Sequence, residues 1–462
     1  MLNRSLAERR GHPPKRTCIE AKPNDSSTRP SRARPPCRPL PRRRPPRRSH
    51  GGLNLRIAIV GAGIVGVTTA FELATAGHEV TVFERRGSVA SEGSFASGGL
   101  ISPATLSPWG LPGAPWQRPR LRGAAALTQL PWLWRAWRAR RPAAAVAQGQ
   151  ALQALGQFSR QRLLTLTQGL RLEFEQTPGC LVLLRGERDL KALQPLLARL
   201  RDGGVAHELA DPERCRVLEP GLAEGTPLHA GLHIAQDGAG NCRQFAHLMK
   251  AEAQRLGARF RFDTPVQALR PGTPAVVVPE GGEPESFDAV IACTGADAAP
   301  LLARAGVKLP LVALHGYSVT APLRHLDGLP PPGPRAALID AREQVTLTRL
   351  GQRVRVSGMG ELGGDLADVS LPPLRRLYRV LDTWFPGAVL ERGAQHWKGA
   401  RPMLPDGCPV LGASGQPGLW LNLGHGQHGW ALACGSARVL ADLVTGREAA
   451  LDTAPLALQR LR

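Results

Sequence analysis

The chain has 462 residues, 42% of them apolar, and carries a formal charge of +22. That length can bury a large core and fold as two domains. No stretch reaches the roughly 18 apolar residues that a membrane-spanning helix needs, and eight cysteines without C-x-x-C spacing exclude a disulfide scaffold and a zinc site and suit a reducing compartment.

The charge invites a nucleic-acid reading, but it is unevenly spread. Residues 1–53 hold fifteen Lys/Arg against three Asp/Glu, which leaves +10 for the rest. Stretches such as "RPSRARPPCRPLPRRRPPRRSH" have no apolar periodicity and cannot bury enough surface to offset their chain entropy, so 1–53 is expected to be disordered. It lacks the apolar core of a secretory signal. Three readings stand: upstream sequence carried in by a start chosen too early, an arm for anionic surfaces, or a targeting segment. Folded-looking sequence begins at "LNLRIAIV".

"RIAIVGAGIVGVTTAFELATAGHEVTVFERR" is the first informative segment. Ile57 to Val60 reads as a buried strand, 64–76 as a helix stopped by Gly77, and Glu79 to Phe83 as a second strand. Gly61, Gly63 and Gly66 have G-x-G-x-x-G spacing in the strand–turn–helix context that a dinucleotide site requires. The glycines allow a tight turn and close approach to a pyrophosphate, and the helix N-terminus offers free N–H groups. Glu84, closing the second strand, would accept hydrogen bonds from a ribose; an acid there disfavours a 2′-phosphate, and so NADP. The small-residue stretch "SEGSFASGGLISP" (91–103) favours a longer cofactor, FAD, over NAD.

Residues 104–142 contain five of the nine tryptophans. In "LPWLWRAWRARR", Leu130, Leu133, Trp134 and Trp137 share one helical face beside arginines. It either packs within a substrate domain or touches a membrane surface. Residues 150–202 read as helices around the strand "CLVLLR". Gly231–Leu269 reads as a loop, an amphipathic helix capped by Asn241 or Asp237, and a strand carrying Val266. "ESFDAVIACTGADA" is a strand ending in a small-residue turn at Thr294 and Gly295. "LVALHGYSVTA", "QVTLTRL" and "RVRVSGMGEL" alternate as antiparallel strands, and "LPPLRRLYRVLDTWFP" is helical. Late in the chain, "GLWLNLGHGQHGWALACGSA" is a second glycine-rich loop between a strand and a helix.

Together, the first loop with Glu84, "SFASGGLISP", "DGAGNCRQF", "CTGADA", "HGYSVT", "RVSGMGEL", "GARPMLPDGCPVLG" and "LNLGHGQHGWALACGSA" resemble the FAD-dependent D-amino-acid oxidase superfamily, and within it the bacterial D-amino-acid dehydrogenase branch. The resemblance runs from about Leu55 to the C-terminus. It implies an α/β fold: a discontinuous Rossmann-type FAD domain (54–103, 228–310, 398–462) interleaved with an α+β substrate domain on an antiparallel sheet (104–227, 311–397). It implies FAD contacts from Gly61, Gly63, Ile64, Val65, Gly66, Glu84 and Arg85, from Ser94, Ala96, Ser97 and Gly98, and from Val266, Thr294 and Gly295. The late loop adds Gly424, His425, Gly426 and Gly429, with the following helix pointing its N-terminus at the flavin ring. Arg401 would clasp the substrate carboxylate with its planar fork. Tyr317 would contact carboxylate or amine, unless it is a core tyrosine.

The implied activity is oxidative deamination of a D-amino acid to a 2-oxo acid and ammonia, with electrons passed to a quinone. Two departures from the pattern, His428 and His315, face the expected pocket. Gly399 stands where some relatives attach flavin through cysteine, and Cys408 is out of register, so FAD is expected to be non-covalent. No metal and no specific nucleic acid are expected, and the oligomeric state is open. The expected location is the cytoplasm, with peripheral contact to the inner face of the bacterial membrane as an option. Rival readings are an oxygen-using glycine or sarcosine oxidase, a flavin enzyme for a modified tRNA base, and an NAD-dependent dehydrogenase.

Overall fold

The computed structural model describes residues 54–111, 119–123, 128–325 and 332–461; the expectation for 1–53 lies outside them. Two sheets organise the molecule. The first has six strands in the order Val410–Ala413, Leu419–Leu423, Ala289–Ala292, Arg56–Val60, Glu79–Phe83 and Arg259–Arg261. All its pairings are parallel except that between 410–413 and 419–423. The central strand shows why its sequence is an unbroken apolar run. Ile57 and Ile59 join a core shared with the helices Ile64–Thr75, Cys242–Arg255 and Gly429–Val444. Ala58 and Val60 join a second core, under the small sheet of Val266–Arg270, Ala275–Pro279 and Glu285–Phe287. A strand covered on both faces has no position for a polar side chain.

The second sheet has ten strands. Its path runs Gln395–Met403, Val312–Pro322, Arg353–Gly363, Val345–Leu350, Ala337–Asp340, Gln176–Leu184, Ala230–Gly240 and Leu100–Ile101. Arg120–Arg122 pairs with 353–363, and Glu208–Ala210 pairs with 230–240. Most of its pairings are antiparallel. The amphipathic helix Leu371–Trp384 covers one face, burying Leu374, Leu377, Val380, Leu381 and Trp384.

One expectation needs correction, and two alternatives are decided. Gly231–Gly240 is strand, not loop: its glycines permit close pairing, since a Cβ on Gly238 would collide with the Thr177 carbonyl. The cap of the 242–255 helix is Asn241, whose side chain accepts from Gln244 N–H at 3.2 Å, whereas Asp237 accepts from Ser102 Oγ and Ala104 N–H. In the helix Leu130–Ala139 the buried face is Trp132 and Ala136, packed with Leu362 and Met403, while Trp134 and Trp137 stand 55% and 61% exposed. The face grouped by periodicity, Leu130, Leu133, Trp134 and Trp137, is thus mostly the outer one, with only Leu133 partly packed against the cluster.

Asp340 locks the 371–384 helix onto the second sheet. It is fully buried and accepts from Arg185 Nε and Nη2, from Trp384 Nε1 at 2.8 Å, and from two backbone N–H groups. Removing one member of such a group strands the others in a poorly solvating interior, at a cost of about 3–5 kcal/mol. Asp340→Ala should lower the free energy of urea unfolding by about that amount; a loss below 1 kcal/mol would show that water reaches Arg185 freely.

Candidate active site

One cavity of about 1200 Å³ lies between the two sheets, above the roughly 300–1,000 Å³ of an ordinary small-molecule pocket. Its first wall is the turn after the Arg56–Val60 strand. Gly61 takes φ +103°, and a Cβ there would stand 2.6 Å from the Cys293 carbonyl. Gly66 does not line the cavity; a Cβ there would collide with the Gly61 carbonyl, so its part is to close the turn. Gly63 differs from both. Its backbone is extended, and a Cβ would meet only Ser94 Oγ, at 3.4 Å. The chain would tolerate a side chain at 63; the cavity is what it would fill. Gly63 has no capping side chain, so the helix N-terminus opens here with Ile64 and Val65, and Ile64 N–H donates to Ser94 Oγ at 3.1 Å.

Glu84 ends the second strand. It accepts from Ala62 N–H at 2.7 Å and from Arg86 N–H at 2.9 Å, which pins it beside the glycine turn. The Arg85 guanidinium pairs with Glu92 and Asp297, each at 2.6 Å. Neither acid was a sequence candidate, because exposed loop acids carry no local signal and only the fold gathers them. Ala96, Val266, Thr294 and Gly295 also line this wall. Thr294 Oγ1 and Asn422 Oδ1 are buried without hydrogen-bond partners.

The small-residue loop 91–99 crosses the second sheet closely. Arg355 donates to the Ser97 carbonyl at 2.9 Å, Thr348 Oγ1 donates to the Gly98 carbonyl at 2.8 Å, and a Cβ on Gly98 would collide with Ser357 Oγ. The late loop leaves the same edge of the first sheet, after the parallel strand Leu419–Leu423. Gly424 and Gly426 take φ +79° and +55°, and Gly429 opens the 429–444 helix with no side-chain cap. Uncapped helix N-termini offer free N–H groups and a partial positive charge. His425 also lines the cavity, its Nε2 3.0 Å from Ser436 Oγ, and burial lowers its pKa to about 3. His428 lines the cavity, its Nε2 2.7 Å from the Ser107 carbonyl, and burial lowers its pKa to about 4. Both rings are neutral at pH 7. These glycine cradles, free helix ends and orphaned polar atoms fit an extended dinucleotide such as FAD.

Arg401 lies on the second sheet's side of the cavity. Nη1 donates to the Met359 carbonyl at 3.1 Å and Nη2 to the Gly358 carbonyl at 3.3 Å. Among the described residues no carboxylate pairs with it; burial pulls its pKa down to about 10, so it remains a cation at pH 7. Beside it lie Leu314, Met403, Trp109 and Trp132.

Tyr317 requires a correction. It is 1% exposed, and its hydroxyl donates to Glu361 at 3.1 Å in the core under the 371–384 helix. Strand alternation explains this: Tyr317 pairs with Lys398, not with Arg401, and shares the face turned to the helix. His315 shares that face, near Lys398 and Glu361, so its ring also leaves the Arg401 side. Burial pushes the Glu361 carboxyl up, but the hydrogen bonds from Lys398 and Tyr317 and the nearby Lys398 and Arg122 charges outweigh it and hold the carboxyl below its ordinary value. Cys408 Sγ sits 3.6 Å from the Gln148 carbonyl and does not line the cavity.

The profile of a family described as FAD dependent oxidoreductase (DAO) matches residues 56–443. A D-amino acid dehydrogenase from Cereibacter sphaeroides is 39% identical over 426 residues, 88% of this chain and 95% of its own. A D-amino acid dehydrogenase from Rhizorhabdus wittichii is 38% identical over 88% of this chain and 100% of its own. Among solved structures, glycine oxidase from Geobacillus kaustophilus shares the fold with a TM-score of 0.69 at 23% identity, over 88% of this chain and 98% of its own.

Gly63→Leu separates folding from cofactor retention. The backbone at 63 suits any residue, so the variant should keep wild-type circular dichroism and lose its bound flavin absorbance. Full flavin occupancy in the variant would remove this turn from the cofactor site.

Proposed function

The chain belongs to the family of FAD-dependent oxidoreductases, and from that premise we propose that it oxidises D-amino acids to 2-oxo acids and ammonia and passes the electrons to a quinone. The observation that carries the substrate reading is Arg401: a half-buried cation whose fork is held by two backbone carbonyls, opening into the same cavity as both glycine loops. A buried charge without a counter-ion is costly, and a carboxylate is the partner that a planar fork fits on two atoms. The names of the relatives support the D-amino acid assignment.

Gly61, Gly63, Ile64 and Val65 would hold the pyrophosphate of FAD, Glu84 its ribose, and 94–98, Thr294, Gly295 and 424–429 its remainder. We read the attachment as non-covalent, because position 399 is glycine and Cys408 is turned onto Gln148. Bound there, FAD supplies a two-electron acceptor. The residues around it orient the substrate: Arg401 fixes the carboxylate, and Leu314, Met403, Trp109 and Trp132 exclude water beside it. Neutral His428 adds no charge to compete with Arg401 for the carboxylate. The substrate gives up two electrons and two protons to become an imino acid, which water splits into a 2-oxo acid and ammonia.

The surface supports the acceptor. Leu130, Trp134 and Trp137 are more than half exposed on one helix, with Arg135, Arg138, Arg140 and Arg141 beside them. The Arg138 guanidinium sits 4.8 Å over the Trp134 ring. The inner face of the same helix brings Trp132 to the cavity. Tryptophan with arginine suits the headgroup region of an anionic membrane, where each basic residue adds about 1 kcal/mol of attraction. No helix among the described residues is long and apolar enough to cross a membrane.

Arg401→Lys should keep the flavin spectrum and lose ten-fold or more in kcat/KM for D-amino acids, since a charge-assisted hydrogen bond contributes about 1.5–3 kcal/mol; near-wild-type kinetics would remove Arg401 from substrate binding. The acceptor is tested by co-sedimentation with anionic liposomes, using the full chain and the chain without residues 1–53, alongside reoxidation by a quinone analogue and by air. Binding that survives the deletion, with fast reoxidation only by quinone, is expected. A truncated chain that ignores the liposomes and is reoxidised rapidly by air would replace the dehydrogenase with an oxidase.

A further inference from the structure

The sheet beneath Arg401 carries a second donor. Gly316 and Gly399 face each other across the strands 312–322 and 395–403. A Cβ on Gly316 would collide with the Arg401 guanidinium, and a Cβ on Gly399 would stand 2.9 Å from Trp397 Nε1. The two glycines therefore form a bare floor, with the guanidinium over one and the indole N–H over the other. Facing Cβ positions in such a pair lie about 4.5–5.5 Å apart, so one carboxylate can reach both donors.

Trp397 Nε1 is buried and has no hydrogen-bond partner. A buried donor left in that state bears the cost of its lost hydration with nothing in return. The indole has a donor and no acceptor, so its partner must bring a lone pair. Its ring is also held in place. Phe95 stacks on it at 4.4 Å with 27° between the planes, and the Arg243 guanidinium lies 4.2 Å over Phe95. Tyr317, the sequence candidate for a second substrate contact, is spent on Glu361 across the sheet. Trp397, Gly399 and Arg401 alternate onto the side that Tyr317 leaves.

We propose that Trp397 is a substrate-binding residue: its indole N–H donates to the carboxylate that Arg401 anchors, gripping that group from two directions and fixing its plane. The proposal rests on the amino-acid reading of Arg401. A carboxylate accepts from both donors, while the NH₂ group of a carboxamide cannot accept from either, so the pair selects acids over their amides.

The test is titration of the holoenzyme with benzoate, a carboxylate that cannot be oxidised at Cα, followed by the flavin absorption spectrum. Trp397→Phe keeps a stacking ring and deletes the donor. It should raise the benzoate Kd ten-fold or more and shrink the preference for benzoate over benzamide. A second measurement needs no variant to fold: in wild-type holoenzyme labelled with ¹⁵N at the indole nitrogens, one N–H signal should shift on saturation with benzoate. Unchanged benzoate affinity in Trp397→Phe, or no indole signal that responds to benzoate, overturns the assignment of Trp397 alone. A wild-type holoenzyme that binds no carboxylate overturns the amino-acid reading and this proposal with it.

Discussion

A guanidinium pressed over a glycine, with two backbone carbonyls as its hydrogen-bond partners, governs the chemistry of the cavity. Arg401 is half-buried and keeps its charge, and a cation drawn out of water without an acid beside it is expensive. The surrounding chain is shaped to hold it. A side chain at position 316 would displace the guanidinium from this seat. Met359 takes φ +61°, a conformation that non-glycine residues rarely adopt, at the register shift in strand 353–363 whose carbonyls receive the fork. The cavity thus carries an unneutralised cation at one defined place, which an anion would complete.

Three residues earlier on the same strand, Lys398 meets the opposite fate. Its ammonium is fully buried and donates to Glu361 at 2.7 Å and to the carbonyls of Asp365 and Asp368. All three of its protons are used, and Glu361 is held further by Tyr317. Two cations so close along a chain would repel in a medium of low dielectric. The pleat sends them to opposite faces, where one is neutralised inside the protein and the other is left for a ligand.

Much of this was legible in the sequence because it rests on local backbone rules. The G-x-G-x-x-G turn, Glu84 at a strand end and the late loop reveal themselves through glycine spacing and apolar runs, and the structure places them around one cavity. Gly66 was grouped with its neighbours because spacing cannot separate a glycine that closes a turn from one that faces a ligand. Tyr317 and His315 were placed by their nearness to a motif, whereas the pleat decides which side chains share a face. Trp397 was invisible for a different reason. Its significance comes from Gly399 beneath it and from Phe95, some three hundred residues away in sequence. The inward face of the 130–139 helix was undecidable, since both faces carry tryptophan and only Leu362 and Met403 reveal which one is covered.

The loop 91–99 has a meaning for recombination between relatives. It follows the first glycine turn in sequence, yet Ser97 and Gly98 are tied to Arg355 and Thr348, and a Cβ on Gly93 would stand 3.0 Å from the Ala400 carbonyl. A chimera that joins the nucleotide half of one protein to the substrate half of another cannot treat the loop as part of the nucleotide half alone. Its fit is written in three strands of the other sheet. Swapping substrate preference by exchanging halves therefore requires 91–99 to travel with residues 345–363 and 395–403. A crossover that divides them joins two surfaces shaped for different partners, along the wall of the cavity.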